Sequence, residues 1–378
     1  MSIVRSILKK IFPRIFLKGA YGVYNRVRIT TYDKLAFPEH HLDPSQFLLY
    51  RKGYPFRENN VKTSGIIDPR VKQYMDQWYD WDQEEFILIW DQPCIIEPVT
   101  GWGITNQRRL LFHSLGISRT WFLRRPALVD FLSRKDDHVV EKAVSFRDTG
   151  EENYFHFFND VLAKYFYLKA NGISFDDRQV IISAKLYSKP YFRWYLSQSA
   201  EFQKLKWVVQ EDDYIATKSV VFCKPLTHRK DFFQQIFKPL LVPATINKRI
   251  FVNRAKSRLR FISNFAEVTS VLAKHNIEII DPDLLAPNVQ RTVFSQASLI
   301  VGVHGAGLTN IYYRNDQCSV LEIFPPPADN YLAFHYIMIA DMKGFRYQGI
   351  IGEGKTLDLN GGFVIDIPKL DKMIAALV

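Results

Sequence analysis

Cysteine is scarce in this chain of 378 residues, where Cys94, Cys223 and Cys318 stand far apart without CxxC spacing. That pattern excludes a disulfide framework and a zinc site, and it fits a reducing compartment. No apolar run approaches the length of a membrane span, and the first residues lack the uninterrupted apolar core of a signal peptide. Internal repeats and low-complexity tracts are also missing, which sets aside solenoids and linker-like segments. Zinc-finger spacing and an RNP-type string are absent, so a dedicated reader of nucleic acid is not expected.

What is present describes a globular protein with an anionic partner. Apolar residues make up 47% and aromatics 15%, enough for two domains with separate cores. Fifty Lys and Arg against 39 Asp and Glu leave a net charge of +11, which favours an anionic partner such as nucleic acid, a phosphorylated small molecule or an acidic membrane face, without choosing among them. Residues 1–18 place Ile3, Ile7, Ile11 and Ile15 at helical spacing among Arg5, Lys9, Lys10 and Arg14. This reads either as a basic amphipathic helix at an anionic membrane or as a helix on the protein's own core, with Pro13 kinking both.

The organisation sharpens toward the C-terminus. Residues 1–20 are the amphipathic helix and 21–80 an irregular extension rich in Tyr, Pro and charge. A first domain spans 81–243, with strands at 85–90, 139–144 and 179–183 and a helix at 154–170. The prolines at 239 and 243 mark the boundary. From 244 to 365 strands and helices alternate: strands at 249–252, 277–280, 299–303, 319–324 and 345–350, and helices at 264–275, 289–297 and 331–342. That alternation predicts an α/β fold with a parallel sheet covered on both faces, closed by a C-terminal helix at 366–378.

The most informative stretch is Val301-Gly302-Val303-His304-Gly305-Ala306-Gly307-Leu308-Thr309-Asn310. A buried strand runs into a glycine-rich turn and a small-residue helix start, which suits an anion held by free backbone N–H groups. The turn fits neither GxGxxG nor the Walker lysine pattern, and a tight turn with a buried histidine is the plainer alternative. Arg254 ends the strand at 249–252, and Lys256, Arg258 and Arg260 follow, so arginine there could clamp a diphosphate, or the loop could be merely solvated. Glu322 lies inside an apolar strand, where an unpaired carboxylate is costly; a ribose or a salt bridge to an arginine would satisfy it.

In the first domain His156 and Asp160 share a helix face, with Asn153 near its start. They form either an acid–base pair or two groups that satisfy each other in an aromatic core. Asp281-Pro282-Asp283 matches a DxD metal pattern but reads as turn chemistry.

The segments Asn253-Arg254, 264–267, Gln290 with Gln296-Ala297, 301–310 and Leu321-Glu322-Ile323-Phe324-Pro325 resemble, in order and spacing, the core of glycosyltransferase family 61. Asn153-Tyr154-Phe155-His156-Phe157-Phe158-Asn159-Asp160 is similar to that family's upstream helix. The resemblance spans about residues 140–350, and its HGAGLTN segment is its most specific part. It implies a GT-B arrangement, two Rossmann-like domains with parallel sheets facing a cleft. It also implies an inverting, metal-independent transfer from a nucleotide-sugar, with UDP-linked sugars among the candidates and no other cofactor. His156 or Asp160 would be the base, with Asn153 and Asn159 on the acceptor side. Arg254, Arg258, His304, Gly305, Ala306, Gly307, Leu308 and Asn310 would hold the donor, and Glu322 its ribose. The resemblance further implies a glycan or lipid-linked acceptor in polysaccharide or capsule synthesis, with the protein cytoplasmic and peripheral at an inner membrane. The competing expectation is a non-catalytic nucleotide-binding or scaffold protein at a membrane surface.

Overall fold

The computed structural model describes residues 33–115, 125–134, 139–254, 259–327, 331–358 and 360–378. The expected amphipathic helix at 1–18 and Arg258 of the basic loop lie outside the described residues.

Two α/β halves emerge. The first is built on strands β1 (Glu39–His40), β2 (Leu49–Gly53), β3 (Gln83–Trp90), β4 (Cys94–Ile96), β5 (Gly103–Thr105) and β6 (Leu110–Leu111), then β7 (Val139–Ser145), β8 (Gln179–Ser183), β9 (Lys206–Gln210) and β10 (Ile215–Lys224). The sheet runs β1-β6-β5-β4-β10-β7-β8-β9, with β3 also on β10 and β2 beyond β3. Its β10-β7-β8-β9 portion is the expected parallel sheet, and β1 also pairs parallel with β6, whereas β3 and β4 both pair antiparallel with β10. The first sheet is therefore mixed. Two of its strands, β1 and β2, come from the stretch expected to be irregular. Leu49-Tyr50-Arg51-Lys52 is half-exposed on an edge, so it lacks the continuous apolar run that marked β8.

The second half is the regular one. Strands β11 (Lys248–Val252), β13 (Glu278–Ile280), β14 (Ala297–Val303), β15 (Ser319–Phe324) and β16 (Arg346–Ile351) form one parallel sheet in the order β13-β11-β14-β15-β16. A short pair, β12 (Phe261–Ile262) with β17 (Gly362–Phe363), lies apart from it. β15 is buried along its whole length, as the doubly covered sheet requires. The order reverses at β11 and β14, and Arg254 and His304 follow the carboxyl ends of those two strands, where open α/β sheets place their ligands.

Among the helical segments that frame the two sheets are α1 (Pro69–Asp76), α2 (residues 154–170), α3 (Lys230–Phe237), α4 (Phe265–Lys274), α5 (Pro287–Ser295), α6 (Ala306–Tyr313, a 3-10 helix), α7 (His335–Lys343) and α8 (Ile367–Ala375). One apolar core passes continuously between the halves: it includes Phe158 and Val180 of the first and Ile300 and Val320 of the second. At the seam, Tyr312 of α6 stacks on Phe237 of α3 at 4.3 Å and 12° and on Phe233 at 4.6 Å and 6°. Such stacked pairs add about 0.5–1.5 kcal/mol each beyond their buried area. Among the described residues no helix is long and apolar enough to cross a membrane.

Candidate active site at the seam

The first half contributes the start of α2. Gly150 takes a positive φ of 81° in the turn before the helix, a conformation that favours glycine. Asn153 then caps the helix, its Oδ1 accepting from Phe155 N at 2.9 Å. Through Phe157–Leu162 the helix widens into a π turn, a distortion common at functional sites. Across the junction His156 Nδ1 and Asp160 Oδ2 lie 2.5 Å apart, and Asp160 Oδ1 accepts from Asn159 Nδ2 at 2.6 Å.

The electrostatics of this pair follow from competition. Burial disfavours a charged imidazole, but the Asp160 carboxylate beside it prevails by charge and hydrogen bond and raises the His156 pKa above its ordinary value. Burial pushes Asp160 up, yet His156 and the Asn159 amide hold it below the usual carboxylate range. An imidazole that is basic, half-exposed and oriented by a carboxylate can accept a proton from a hydroxyl.

The second half contributes the end of β14. His304 N donates to Ile323 O at 2.8 Å, extending the ladder by one residue, and His304 Nδ1 sits 2.5 Å from Glu322 Oε1. The other Glu322 oxygen accepts from Tyr347 OH at 2.6 Å. Both carboxylate oxygens are engaged and the residue is 0% exposed, so a ribose has no access to Glu322 in this conformation. Its partners are a histidine and a tyrosine rather than an arginine.

Arg254 packs directly against the turn, since a Cβ on Gly305 would collide with its guanidinium. Its Nε donates to Leu259 O at 2.5 Å, which curls the side chain back over the loop. Ala306 and Gly307 are partly exposed at the helix start. The next positions face inward. Leu308 is buried, and its N–H already donates to Gly305 O at 3.0 Å. Asn310 is fully buried, accepting from Tyr154 OH at 2.7 Å and donating to Gln290 Oε1 at 2.8 Å. Leu308 and Asn310 therefore shape the seam and offer a ligand no surface in this conformation. Asp281 caps a short turn, accepting from Asp283 N at 3.0 Å.

Two histidines absent from the sequence-based expectations join these halves. His335, at the start of α7, lies with its ring 6.5 Å from that of His156 and 6.4 Å from that of His304. Its ring lies nearly parallel to that of His228, centroids 5.2 Å apart and planes at 10°, with His335 Nδ1 3.3 Å from His228 Nε2. Burial, reinforced by neighbouring imidazoles, holds both well below the ordinary histidine pKa. Neither sits in a recognisable pattern: Thr227-His228-Arg229 and Phe334-His335-Tyr336 are 107 residues apart and meet only in the fold. Among the described residues no group of three or more His, Cys, Asp or Glu is arranged to hold a metal ion.

So Arg254, His304 and Gly305 are brought together with Glu322 behind them, and His156 with Asp160 faces them across His335. The family model described as Glycosyltransferase 61 matches residues 154–321, a span that runs from the start of α2 into β15 and holds His156, Asp160, Arg254, His304 and Gly305. Glu322 lies one residue beyond that span and His335 further on. No curated protein matches the chain.

Proposed function

We propose that this chain, whose residues 154–321 match the glycosyltransferase family 61 model, is a glycosyltransferase whose seam transfers a sugar from a nucleotide-sugar to a glycan or lipid-linked acceptor in one inverting displacement. In this reading the two α/β halves act as the two sides of a GT-B arrangement. The observation that supports it best is the pairing of unlike chemistry across a short distance. A carboxylate-oriented imidazole stands on the first half and an arginine against a glycine turn on the second, and the His335 ring lies 6.5 Å from His156 and 6.4 Å from His304, the residue before that turn.

The division of labour is set by position. His156, its Nδ1 held by Asp160, takes the acceptor hydroxyl proton on its remaining nitrogen. Arg254 and the N–H groups at the start of α6 stabilise the charge that develops on the departing diphosphate. Glu322 fixes the ring of His304 instead of meeting a ribose, in the manner of a carboxylate that sets a histidine tautomer. Asp281 caps a short turn through Oδ1, the ordinary role of an Asp before Pro in such turns.

A panel of nucleotide-sugars incubated with the full chain tests this reading. Turnover that persists in EDTA, product with inverted anomeric configuration by NMR, and a fall of about 100-fold or more in kcat for Arg254→Ala are expected. Turnover abolished by EDTA would overturn metal independence, and full activity of Arg254→Ala would overturn the clamp. Contact of residues 1–18 with a membrane belongs to the same proposal. Sedimentation with anionic vesicles, lost when those residues are deleted and weakened by salt, is the expected outcome.

A further inference from the structure

Asn159 lies in the π turn with its side chain fully committed. Its Nδ2 donates to Asp160 Oδ1 and to Thr227 Oγ1, each at 2.6 Å, and its Oδ1 accepts from His228 N at 3.0 Å. Thr227 Oγ1 thus already receives one hydrogen bond. Its own proton has a single acceptor among the described residues, His228 Nδ1 at 2.8 Å. If that nitrogen accepts, His228 carries its proton on Nε2 and donates to His335 Nδ1 at 3.3 Å. His335 in turn must carry its proton on Nε2, and that N–H has no partner among the described residues.

Backbone geometry gives an independent reason to regard the chain of bonds as built for a purpose. His228 adopts a positive φ of 58°, a left-handed conformation that few non-glycine residues take. Strain of this kind persists where surrounding contacts over-determine a position, and it gathers at functional sites. Here the Asn159 bond to its N–H, the Thr227 bond to its ring and the pairing of that ring with His335 all hold it.

We propose that His335 is a further substrate-contacting residue, fixed as an Nε2–H donor by the relay Asn159–Thr227–His228 and presenting that hydrogen to an oxygen of the bound nucleotide-sugar between His156 and the Gly305 turn. The inference rests on the reading of the seam as the transfer site. It assigns His228 and Thr227 as positioning residues, which act only through His335, and it joins the base of one half to the donor side of the other.

Imidazole 15N NMR on histidine-labelled full-length protein tests the relay directly, with His335→Gln and His228→Gln spectra supplying the assignments. Both residues should show the uncharged Nε2–H pattern at pH 7. Thr227→Ser should retain it, while Thr227→Val should release His228 into a mixture of tautomers. An Nδ1–H or imidazolium His335 overturns the proposal, whatever the enzyme's activity. In kinetics with the nucleotide-sugar that supports turnover, His335→Phe should lower kcat/KM for the donor about 10-fold or more, and His335→Gln, which keeps an N–H, should recover part of it. Unchanged kinetics for His335→Phe overturn the substrate contact. Absence of any turnover by the wild-type chain would overturn the transfer reading together with this contact, whereas an active enzyme with the wrong tautomer overturns the relay alone.

Discussion

Asp160 does two things to His156: it fixes which nitrogen is occupied, and it makes the ring harder to deprotonate. A base must be uncharged to act, so the acidic limb of kcat/KM should lie above 6.5, the ordinary histidine value. Asp160→Asn removes the carboxylate that raises the pKa. Its residual activity should therefore be much reduced, with the acidic limb moved to lower pH; a pH–rate profile with an unmoved limb would show that His156 is not the base. This pair was legible in the sequence because four residues on a helix return to the same face. His228 and His335 were not legible, because one is an isolated histidine in a polar stretch and the other in an aromatic one, and only the packing of α7 against the first half makes them neighbours.

Gly305 offers a separate test of the arginine. Its φ of 163° is extended backbone, open to any residue, so alanine there carries no conformational penalty. The obstacle is the Arg254 guanidinium, the far end of a flexible side chain that can swing away. Gly305→Ala should leave Tm within a degree or two of wild type while lowering turnover by displacing Arg254. A large loss of Tm with normal activity in the surviving fraction would place the importance of this glycine in folding instead.

At the scale of elements, the second half was readable because its central strands are short apolar runs buried on both faces. Strand β15 was read with the bounds it has, and β11, β13, β14 and β16 within two residues. The first half was harder. Its strand β10 is parallel to β7 but antiparallel to β3 and β4, and a strand's own residues do not declare the direction of its neighbours. The π turn in α2 was also invisible, since Phe155, Phe157, Phe158, Val161 and Leu162 give the segment a broad apolar face and leave no narrow stripe whose shift could mark it.

Packing between β14, β11 and α6 sets how closely the turn approaches the site. A Cβ on Gly302 would fall 2.8 Å from Val252 Cβ and 2.8 Å from Leu308 Cδ2, and a branched side chain next to the backbone cannot retreat. Gly302→Ala should cost about 1–3 kcal/mol by overpacking. Chemical denaturation should show this as a lower midpoint at unchanged slope.

For the molecule as a whole, the buried histidines set a pH dependence of stability. His228 and His335 both have folded pKa values well below 6.5. As pH drops through 6.5 the unfolded chain takes up protons that the folded chain refuses, so stability should fall from that point downward. Tm measured at pH 7.5 and pH 5.5 should decline in the wild type, and His228→Phe should make the decline shallower. His156 acts in the opposite sense, because a raised pKa contributes fully below 6.5 and fades as pH rises above it, so it softens the decline between pH 7.5 and 6.5 and leaves the part below 6.5 unchanged. An equally steep decline in His228→Phe would point to other groups as the acid-sensitive sites.

Helix α1 and the residues flanking it reach across the whole chain to the second half, its edge strand β16 included. Gln348 of β16 accepts from Ile67 N at 2.8 Å and donates to Gly65 O at 2.7 Å, Lys369 of α8 pairs with Asp68 at 2.5 Å, and Trp78 Nε1 donates to Leu332 O at 2.8 Å. These partners are separated by 254 to 301 positions. On the ribosome, the early segment is made long before the strand it covers has left the exit tunnel. Its docking must wait for synthesis to finish, and such distant closures are slow. During that interval β16 and the apolar face of α1 have no cover, which makes nascent, nearly complete chains the natural clients of a chaperone.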